Sequence, residues 1–237
     1  MRENVRGIAL ISQNIYALGR YYRGLLFCPK KERGKMKNTT TKKVDVKKIT
    51  MIAMLTAIGV VLQYLEISIP LVPSFIKLDF SDLPELVGAC VCGPVSGVLI
   101  CLIRNLIHGL VSQSAFIGEL SNFILGAVFA LTAGLIYKKM PNFKGLMIGG
   151  VVGAIVMGII SLPSNYFIIY PLYYNVMGFP EPAILEMYQL IRPSTKSIAE
   201  ALLVFNVPFT IAKALICVAM SAAIYKPLHG FLSKIKG

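Results

Sequence analysis

Six polar side chains lie within or beside strongly apolar segments of this chain, and their types suit hydrogen bonding to a small organic molecule. They are Asp79, Glu119, Asn122, Asn165, Thr210 and Lys213. Aromatic rings lie near them in the sequence, at Phe75, Phe80, Phe123 and Tyr166. The combination indicates a mostly apolar pocket with scattered hydrogen-bonding groups. It favours a flat, partly polar organic ligand over an inorganic ion, because an ion requires several converging oxygen ligands.

Lys213 is the most informative of these residues, because it lies about midway along an apolar segment, 12 residues before Tyr225. An ammonium group at that depth costs about 3 kcal/mol in lipid, so we expect it to face a cavity or an acidic partner. Glu119 and Asn122 are three residues apart at the start of another segment and share one helix face. Two roles are open for Glu119: stabilising the helix N-terminus, and accepting hydrogen bonds in a cavity.

The stretch Val72–Pro84, which reads VPSFIKLDFSDLP, lies between two apolar segments. Its prolines, and Pro70 just before it, forbid a continuous helix, because proline lacks an N–H group and disfavours helical geometry in the residue before it. Charged Lys77, Asp79 and Asp82 alternate with apolar side chains. We predict an ordered outer loop that covers a binding cavity.

The composition indicates an all-α integral membrane protein. Of the 237 residues 56% are hydrophobic and only 15% charged, and the mean hydropathy is +0.70; soluble domains average about 25% charged residues. We predict a bundle of six transmembrane helices. Their approximate ranges are 49–69, 83–92, 95–111, 118–137, 144–170 and 198–225. We expect Pro163 to interrupt the fifth span, and residues 171–198, with four prolines, to form a long outer loop.

Charge predicts the orientation. Of the 24 Lys and Arg residues, 13 lie in residues 1–48. Others flank one short connection or lie in the tail: Lys138, Lys139, Lys144, Lys226, Lys234 and Lys236. The positive-inside rule then places both termini in the cytoplasm. This gives a basic N-terminal segment at 1–48, a membrane domain at 49–226 and a tail at 227–237.

Residues 1–35 carry a separate hypothesis, namely that translation starts at Met36. Lys31-Glu32-Arg33 can be encoded by a purine run that resembles a bacterial ribosome-binding site upstream of Met36. The alternative is a disordered basic tail that binds anionic lipid weakly.

Several site types find no support in the pattern. His108 has no second histidine near it in the sequence, and with Arg104 and Asn105 it is interpreted as a polar helix end that meets headgroups or loop carbonyls. We therefore predict no metal site. A phosphate-binding G-x-x-x-x-G-K-[ST] loop is absent from the sequence, so ATP hydrolysis by that route is excluded. The five cysteines are interpreted as buried thiols.

Four motifs in order carry a family resemblance over about residues 36–226. They are the run PSFIKLDFSDLP at 73–84, Gly93-Pro94-x-x-Gly97, Leu102-x-x-Asn105-x-x-His108 and Gly118-Glu119-Leu120-x-Asn122-Phe123. The chain resembles the riboflavin-specific S components of energy-coupling factor (ECF) transporters. The resemblance implies a six-helix, non-enzymatic subunit in a bacterial cell membrane. It would capture riboflavin from outside, as transported ligand and with no cofactor, and associate with a shared transmembrane coupling subunit and two ATPases.

The resemblance also implies site residues, from the first outer loop and from helices four to six. On this sequence they are Leu78, Asp79, Phe80, Glu119, Asn122, Asn165, Tyr166, Thr210 and Lys213. The family's Ala-xxx-Ala contact with the coupling subunit falls on Ala53 and Ala57. Its frequent Pro-Phe-Asn-x-x-Lys reads here with Thr210 in place of the asparagine. A hydroxyl replaces one amide hydrogen bond but not both, which leaves room for a flavin relative such as FMN or roseoflavin.

Three alternatives remain open from the residues alone. One is an S component for a different vitamin, with the same scaffold and another pocket. The second is a small intramembrane enzyme that uses Glu119 and His108 as acid and base. The third is a facilitator that needs no ATPase partner.

Overall fold

The computed structural model describes residues 46–70, 72–73, 75–112 and 115–236, with side chains up to residue 225. The predicted basic segment up to residue 45, the hypothesis about Met36 and the side chains of the C-terminal tail lie outside the described residues. The remaining chain is helical apart from one short hairpin and the connecting turns.

Helices form nearly all of the described fold. Their bounds are α1 Val46–Tyr64, α2 Asp82–Val91, α3 Pro94–Gly109, α4 Ile117–Lys139, α5 Phe143–Ser164, α6 Tyr170–Val176, α7 Glu181–Gln189, α8 Ile198–Ala201 and α9 Val207–Lys236. A π-helical turn at Asn165–Ile169 joins α5 to α6, and another at Leu202–Asn206 joins α8 to α9. Counted as continuous rods, the described residues contain six bundle helices and the short helix α7.

Four rods in the described part of the chain are long and apolar enough to cross a membrane. They are Val46–Tyr64, Ile117–Lys139, Phe143–Val176 and Ile198–Tyr225. The helices α2 and α3 are shorter, with 10 and 16 residues. The predicted six-helix membrane bundle is confirmed, with two of its members too short to span alone.

The first outer loop begins earlier than predicted. We expected the first helix to reach Ile69, but α1 ends at Tyr64. The reason is a two-stranded antiparallel hairpin, in which β1 (Ile67–Ser68) pairs with β2 (Lys77–Leu78). An exposed ion pair between Lys77 and Glu66 lies beside the hairpin. Backbone pairing across the loop therefore replaces the last turn of the predicted helix.

A π-helical turn lies just before a proline in each of two long rods. We expected Pro163 to interrupt the fifth span, but the rod continues through Asn165–Ile169 to Val176. Pro171 closely follows this π-helical turn. A proline removes one i→i−4 hydrogen bond and crowds the turn before it, and a wider turn at that position relieves both effects. Pro208 likewise follows the π-helical turn of the last rod. The outer region that we expected as a loop at 171–198 also contains α6 and α7.

Two apolar cores hold the rods together. One joins α2, α4, α5 and α9 and includes Leu86, Phe129, Met157 and Val218, each 3% exposed or less. The other joins α4, α6, α7 and α8 to the π-helical turns, and includes Tyr170, Tyr188 and Leu202. The helix α4 packs most extensively on α5.

Candidate functional site

A cluster of five buried charged side chains joins the first outer loop to three helices. The loop supplies Asp79, α2 supplies Asp82 and Glu85, α3 supplies Arg104 and α9 supplies Lys213, and none is more than 6% exposed. Buried charges are tolerated where they are paired and hydrogen-bonded.

Arg104 lies at the centre of this charged cluster and is fully buried. Its Nε donates to Glu85 Oε1 at 2.7 Å, and its two terminal nitrogens contact Glu85, Ser81 and, at 3.5 Å, Asp82 Oδ1. Asp82 and Glu85 are three residues apart in the first turn of α2, so both carboxylates lie on the face that meets α3. The interpretation of Arg104 as part of a polar helix end that meets headgroups or loop carbonyls is therefore wrong, because its partners are buried carboxylates and a hydroxyl group.

Asp79 connects this cluster to the last helix. Its Oδ1 accepts from the Ser81 backbone N–H at 2.9 Å and from the Ser81 hydroxyl, and its Oδ2 accepts from Lys213 Nζ at 2.9 Å. Burial by itself would raise the pKa of the Asp79 carboxyl. The Lys213 ammonium and Arg104 guanidinium groups outweigh burial and lower that pKa to about 2. We expected Lys213 to face a cavity or an acidic partner, and the structure shows the acidic partner, Asp79.

The cluster contains one more carboxylate than it has cationic groups. Asp79, Asp82 and Glu85 face Arg104 and Lys213. Within the described residues, Asp82 Oδ2 and Glu85 Oε2 accept no hydrogen bond, although the former lies 3.5 Å from Lys213 Nζ. The arrangement therefore has unused acceptor capacity inside the protein.

A second polar group lies where the outer ends of α3 and α4 meet. His108 Nδ1 lies 2.8 Å from Glu119 Oε1, and the Ser112 hydroxyl donates to Glu119 Oε2 at 2.9 Å. One turn deeper, Gln63 Nε2 donates to Asn105 Oδ1 at 3.2 Å, which ties α1 to α3. Glu119 thus has partners within the protein, although its side chain also borders a cavity.

That cavity has a volume of about 430 Å³ and lies between α3, α4 and α6. Its polar lining comes from Glu119 and Asn105, and the rest is apolar: Leu102, Leu106, Ala115, Phe116, Ile117, Leu120, Phe123, Leu172 and Val176. The volume lies in the range of sites for organic ligands, and the lining has the expected mixture of many apolar and few polar groups. Of the predicted pocket residues, Glu119 and Phe123 border it.

The other predicted site residues occupy different places. Asn165 is buried in the π-helical turn, and its Oδ1 accepts from the Ser121 hydroxyl on α4 at 3.3 Å, next to Asn122. Thr210 is buried one turn before Lys213 on the last helix. Tyr166 is 45% exposed and packs edge-on against Phe167.

The first loop places its three predicted residues differently. Asp79 points inward to Lys213, whereas Leu78 lies in β2 and Phe80 is half-buried. The structure therefore brings Asp79 and Lys213 together, and separately joins α4 to the π-helical turn through Asn165.

A buried hydrogen-bonded trio above the last helix was missed by the sequence analysis. Tyr188 on α7 donates to Asn206 Oδ1 at 2.7 Å and contacts the hydroxyl of Tyr170, and Asn206 Nδ2 donates to Tyr170 Oη at 3.4 Å. Phe75 from the first loop lies edge-on to both tyrosine rings, with centroids 6.3 Å away. The trio links α6, α7 and the last rod beneath the loop.

The spacing of Asn206 contained a signal that could have found it. Asn206, Thr210 and Lys213 fall at i, i+4 and i+7, so they follow one face of the last rod. All three are buried, with 6–7% exposure. One helix face therefore presents an amide, a hydroxyl and an ammonium group towards the protein interior.

On α1, Ala53 and Ala57 lie on the side that the described chain leaves uncovered. Both are exposed, as are Met54, Ile58 and Val61. The buried face of α1 carries Thr56, Gly59 and Gln63 instead. A helix face with small exposed residues allows another helix to approach closely.

Comparison with protein families gives a match over most of the chain. The model for the ECF transporter substrate-specific component matches residues 47–225. This range includes α1 except its first residue, the first outer loop and all the charged and polar groups described above.

Individual proteins of known function and one solved structure are similar over nearly their whole length. The riboflavin transporter RibU of Staphylococcus aureus is 33% identical over 80% of this chain and 94% of its own length. The riboflavin transporter FmnP of Bacillus subtilis is 27% identical over 81% of this chain and 96% of its own. A structure described as the S component of a bacterial ECF transporter superposes with a TM-score of 0.62 at 33% identity, over 78% of this chain and 97% of that one.

Proposed function

Because the chain belongs to the family of substrate-specific components of ECF transporters, we propose that it is the riboflavin-binding membrane subunit of an ECF-type importer. The observation that carries the proposal is the 33% identity to a riboflavin transporter over 94% of that protein's length. The members of this family are transport components and not enzymes. We infer accordingly that riboflavin is held and released without chemical change.

The polar groups that face the interior of the helix bundle suit this ligand. The isoalloxazine ring of riboflavin is flat and largely apolar with amide-like edges, and its ribityl chain carries hydroxyl groups. Lys213 and Asn206 can donate hydrogen bonds, Glu119 and Asn165 can accept them, and aromatic walls such as Phe75 can cover the ring. We propose that riboflavin enters from outside, beneath the loop that contains Leu78, Asp79 and Phe80, with Asn122, Tyr166 and Thr210 bordering its site.

The proposed partners are a transmembrane coupling subunit and two ATPase subunits. The exposed face of α1 with Ala53 and Ala57 is where we place the coupling subunit. The cluster Lys138, Lys139 and Lys144 at the turn between α4 and α5 supports a cytoplasmic position for that turn and for both termini.

Absorbance and titration of the detergent-purified protein test the proposal. We expect either co-purified flavin or saturable quenching of riboflavin fluorescence, with one ligand per chain. FMN and roseoflavin should be titrated in parallel, because Thr210 stands where the family often has asparagine. A protein that melts cooperatively but is stabilised by another vitamin and by no flavin would contradict the proposal.

Uptake into vesicles separates the subunit from a facilitator. We expect riboflavin uptake only when the coupling and ATPase subunits are co-expressed and ATP is supplied. Uptake by this chain alone would contradict the proposed dependence on partners.

A further inference from the structure

We propose that Arg104 and Ser81 are positioning residues, which hold the Lys213 ammonium group in the substrate site through the Asp79 carboxylate. The inference rests on the proposed function in one respect, namely that Lys213 contacts riboflavin. Neither Arg104 nor Ser81 is itself placed in contact with substrate.

The first step is the position of Arg104. It is the largest fully buried side chain in the described part of the chain. Gly59 on α1 leaves room for its aliphatic stem, because a Cβ there would lie 3.1 Å from Arg104 Cδ. Replacing a buried ion pair by apolar residues is often neutral or stabilising, so packing alone does not account for an arginine at this position. Its contacts with Ser81 and α2 fix the end of the first outer loop.

The second step is that the Ser81 hydroxyl bonds to Asp79 and Arg104 and does not cap α2. Ser81 occupies the N-cap position of α2, where a serine hydroxyl ordinarily accepts from the backbone of the first helical turn. Here it makes no capping bond. The hydroxyl group donates a hydrogen bond to Asp79 Oδ1 and accepts one from Arg104 Nη1. The hydroxyl therefore connects Arg104 to Asp79, at the expense of a cap.

The third step is the restraint on Lys213. A lysine side chain has four flexible carbon atoms and can place its ammonium group in many positions. Asp79 Oδ2 fixes Nζ at 2.9 Å, while Asp82 Oδ2 lies at 3.5 Å on another side. Because the Asp79 carboxylate is itself held by two donors from Ser81, the ammonium group is presented in one position before riboflavin arrives.

The substitution Ser81→Ala tests this chain of contacts, because it removes one hydroxyl and no charge. We expect it to weaken riboflavin binding about tenfold, as the loss of one hydrogen bond to a charged group predicts. The matched control is Ser96→Ala. Ser96 is also buried, but its hydroxyl donates within its own chain segment to the Cys92 carbonyl at 3.0 Å. Riboflavin affinity equal to wild type in Ser81→Ala would overturn the inference.

A double-mutant cycle separates positioning from a general structural role. If Ser81 acts through Lys213, then Ser81→Ala has little further effect on affinity when Lys213 is already glutamine. An equal loss of affinity in both backgrounds would overturn the proposal. Should Lys213→Gln not fold, Lys213→Arg keeps the charge and displaces it, and the same comparison applies.

The outcomes also distinguish this inference from the proposed function. A wild-type protein that binds no flavin contradicts the proposed function, and the inference falls with it. Wild-type binding together with an unaffected Ser81→Ala variant contradicts only the positioning role. The same cycle can be measured as melting temperatures in the absence of ligand. If the effects of Ser81→Ala and Lys213→Gln on melting temperature add, the two residues are not physically connected, and the proposal is contradicted.

Discussion

Asp79 and Lys213 lie 134 positions apart in the sequence and are joined by an ion pair of 2.9 Å between Oδ2 and Nζ. The contact joins the first outer loop to the last helix through side chains, although the two elements are far apart in the sequence. The loop covers the proposed entrance, and the helix carries the polar face of the proposed site. A change in the position of the loop would therefore also change the position of the Lys213 ammonium group in that site.

Removing one member of this pair should cost much more than removing both. Lys213→Met leaves the Asp79 carboxylate buried without its cation, and we expect about 3–5 kcal/mol of lost stability. The double variant Asp79→Asn/Lys213→Met should recover most of that loss. Thermal unfolding in detergent measures both. The exposed pair Lys77–Glu66 is the control, since Lys77→Met should change stability by about 1 kcal/mol or less. A double variant as unstable as the single one would contradict the prediction.

The stability of the pair should depend on pH in one direction. The folded pKa of Asp79, at about 2, lies below its usual value of 3.8. The stabilisation is therefore complete above about pH 4 and is lost as the pH falls towards 2, with a magnitude of about 2 kcal/mol. Melting temperatures from pH 6 to pH 2.5 should fall more steeply for the wild type than for the Asp79→Asn/Lys213→Met variant. Parallel curves would contradict this assignment.

Glu85→Gln should be tolerated better than Arg104→Met. The cluster has three carboxylates for two cations, so neutralising Glu85 balances its charge while an amide oxygen still accepts from Arg104 Nε. Arg104→Met instead leaves three buried carboxylates with only Lys213. We expect a change within about 1 kcal/mol for Glu85→Gln and a loss of several kcal/mol for Arg104→Met. Equal melting temperatures of the two variants would contradict the charge balance.

The number of helices could be predicted from the sequence, as could the need of Lys213 for a cavity or an acidic partner, because apolar length and the cost of a buried ammonium group are local properties. That the partner is Asp79 could not be predicted. Nor could the environment of Arg104. Its position near a helix end predicted exposure, and only the packing of α3 on α2 brings it to Asp82 and Glu85. The i, i+3 spacing of those two acids, one helix before an arginine, was the available signal.

The site was harder to predict wherever the backbone departs from regular geometry. Asn206 ends a π-helical turn, and its hydrogen-bond partners Tyr170 and Tyr188 lie on two other helices. Tyr188 belongs to α7, in a region that the prolines predicted as loop. Contacts of this type depend on tertiary packing, and neither periodicity nor composition contains them.

The exposed face of α1 should be needed for uptake but not for riboflavin binding. Ala57→Leu adds bulk where we place the coupling subunit, and small residues at such interfaces permit close backbone approach. We expect wild-type affinity for riboflavin in the purified subunit, together with reduced co-purification of the coupling subunit and several-fold slower uptake in vesicles. Val61→Leu is the control, because it adds a single methylene group one turn further along the exposed face. If Ala57→Leu assembles and transports like the wild type, the coupling subunit docks elsewhere on this chain.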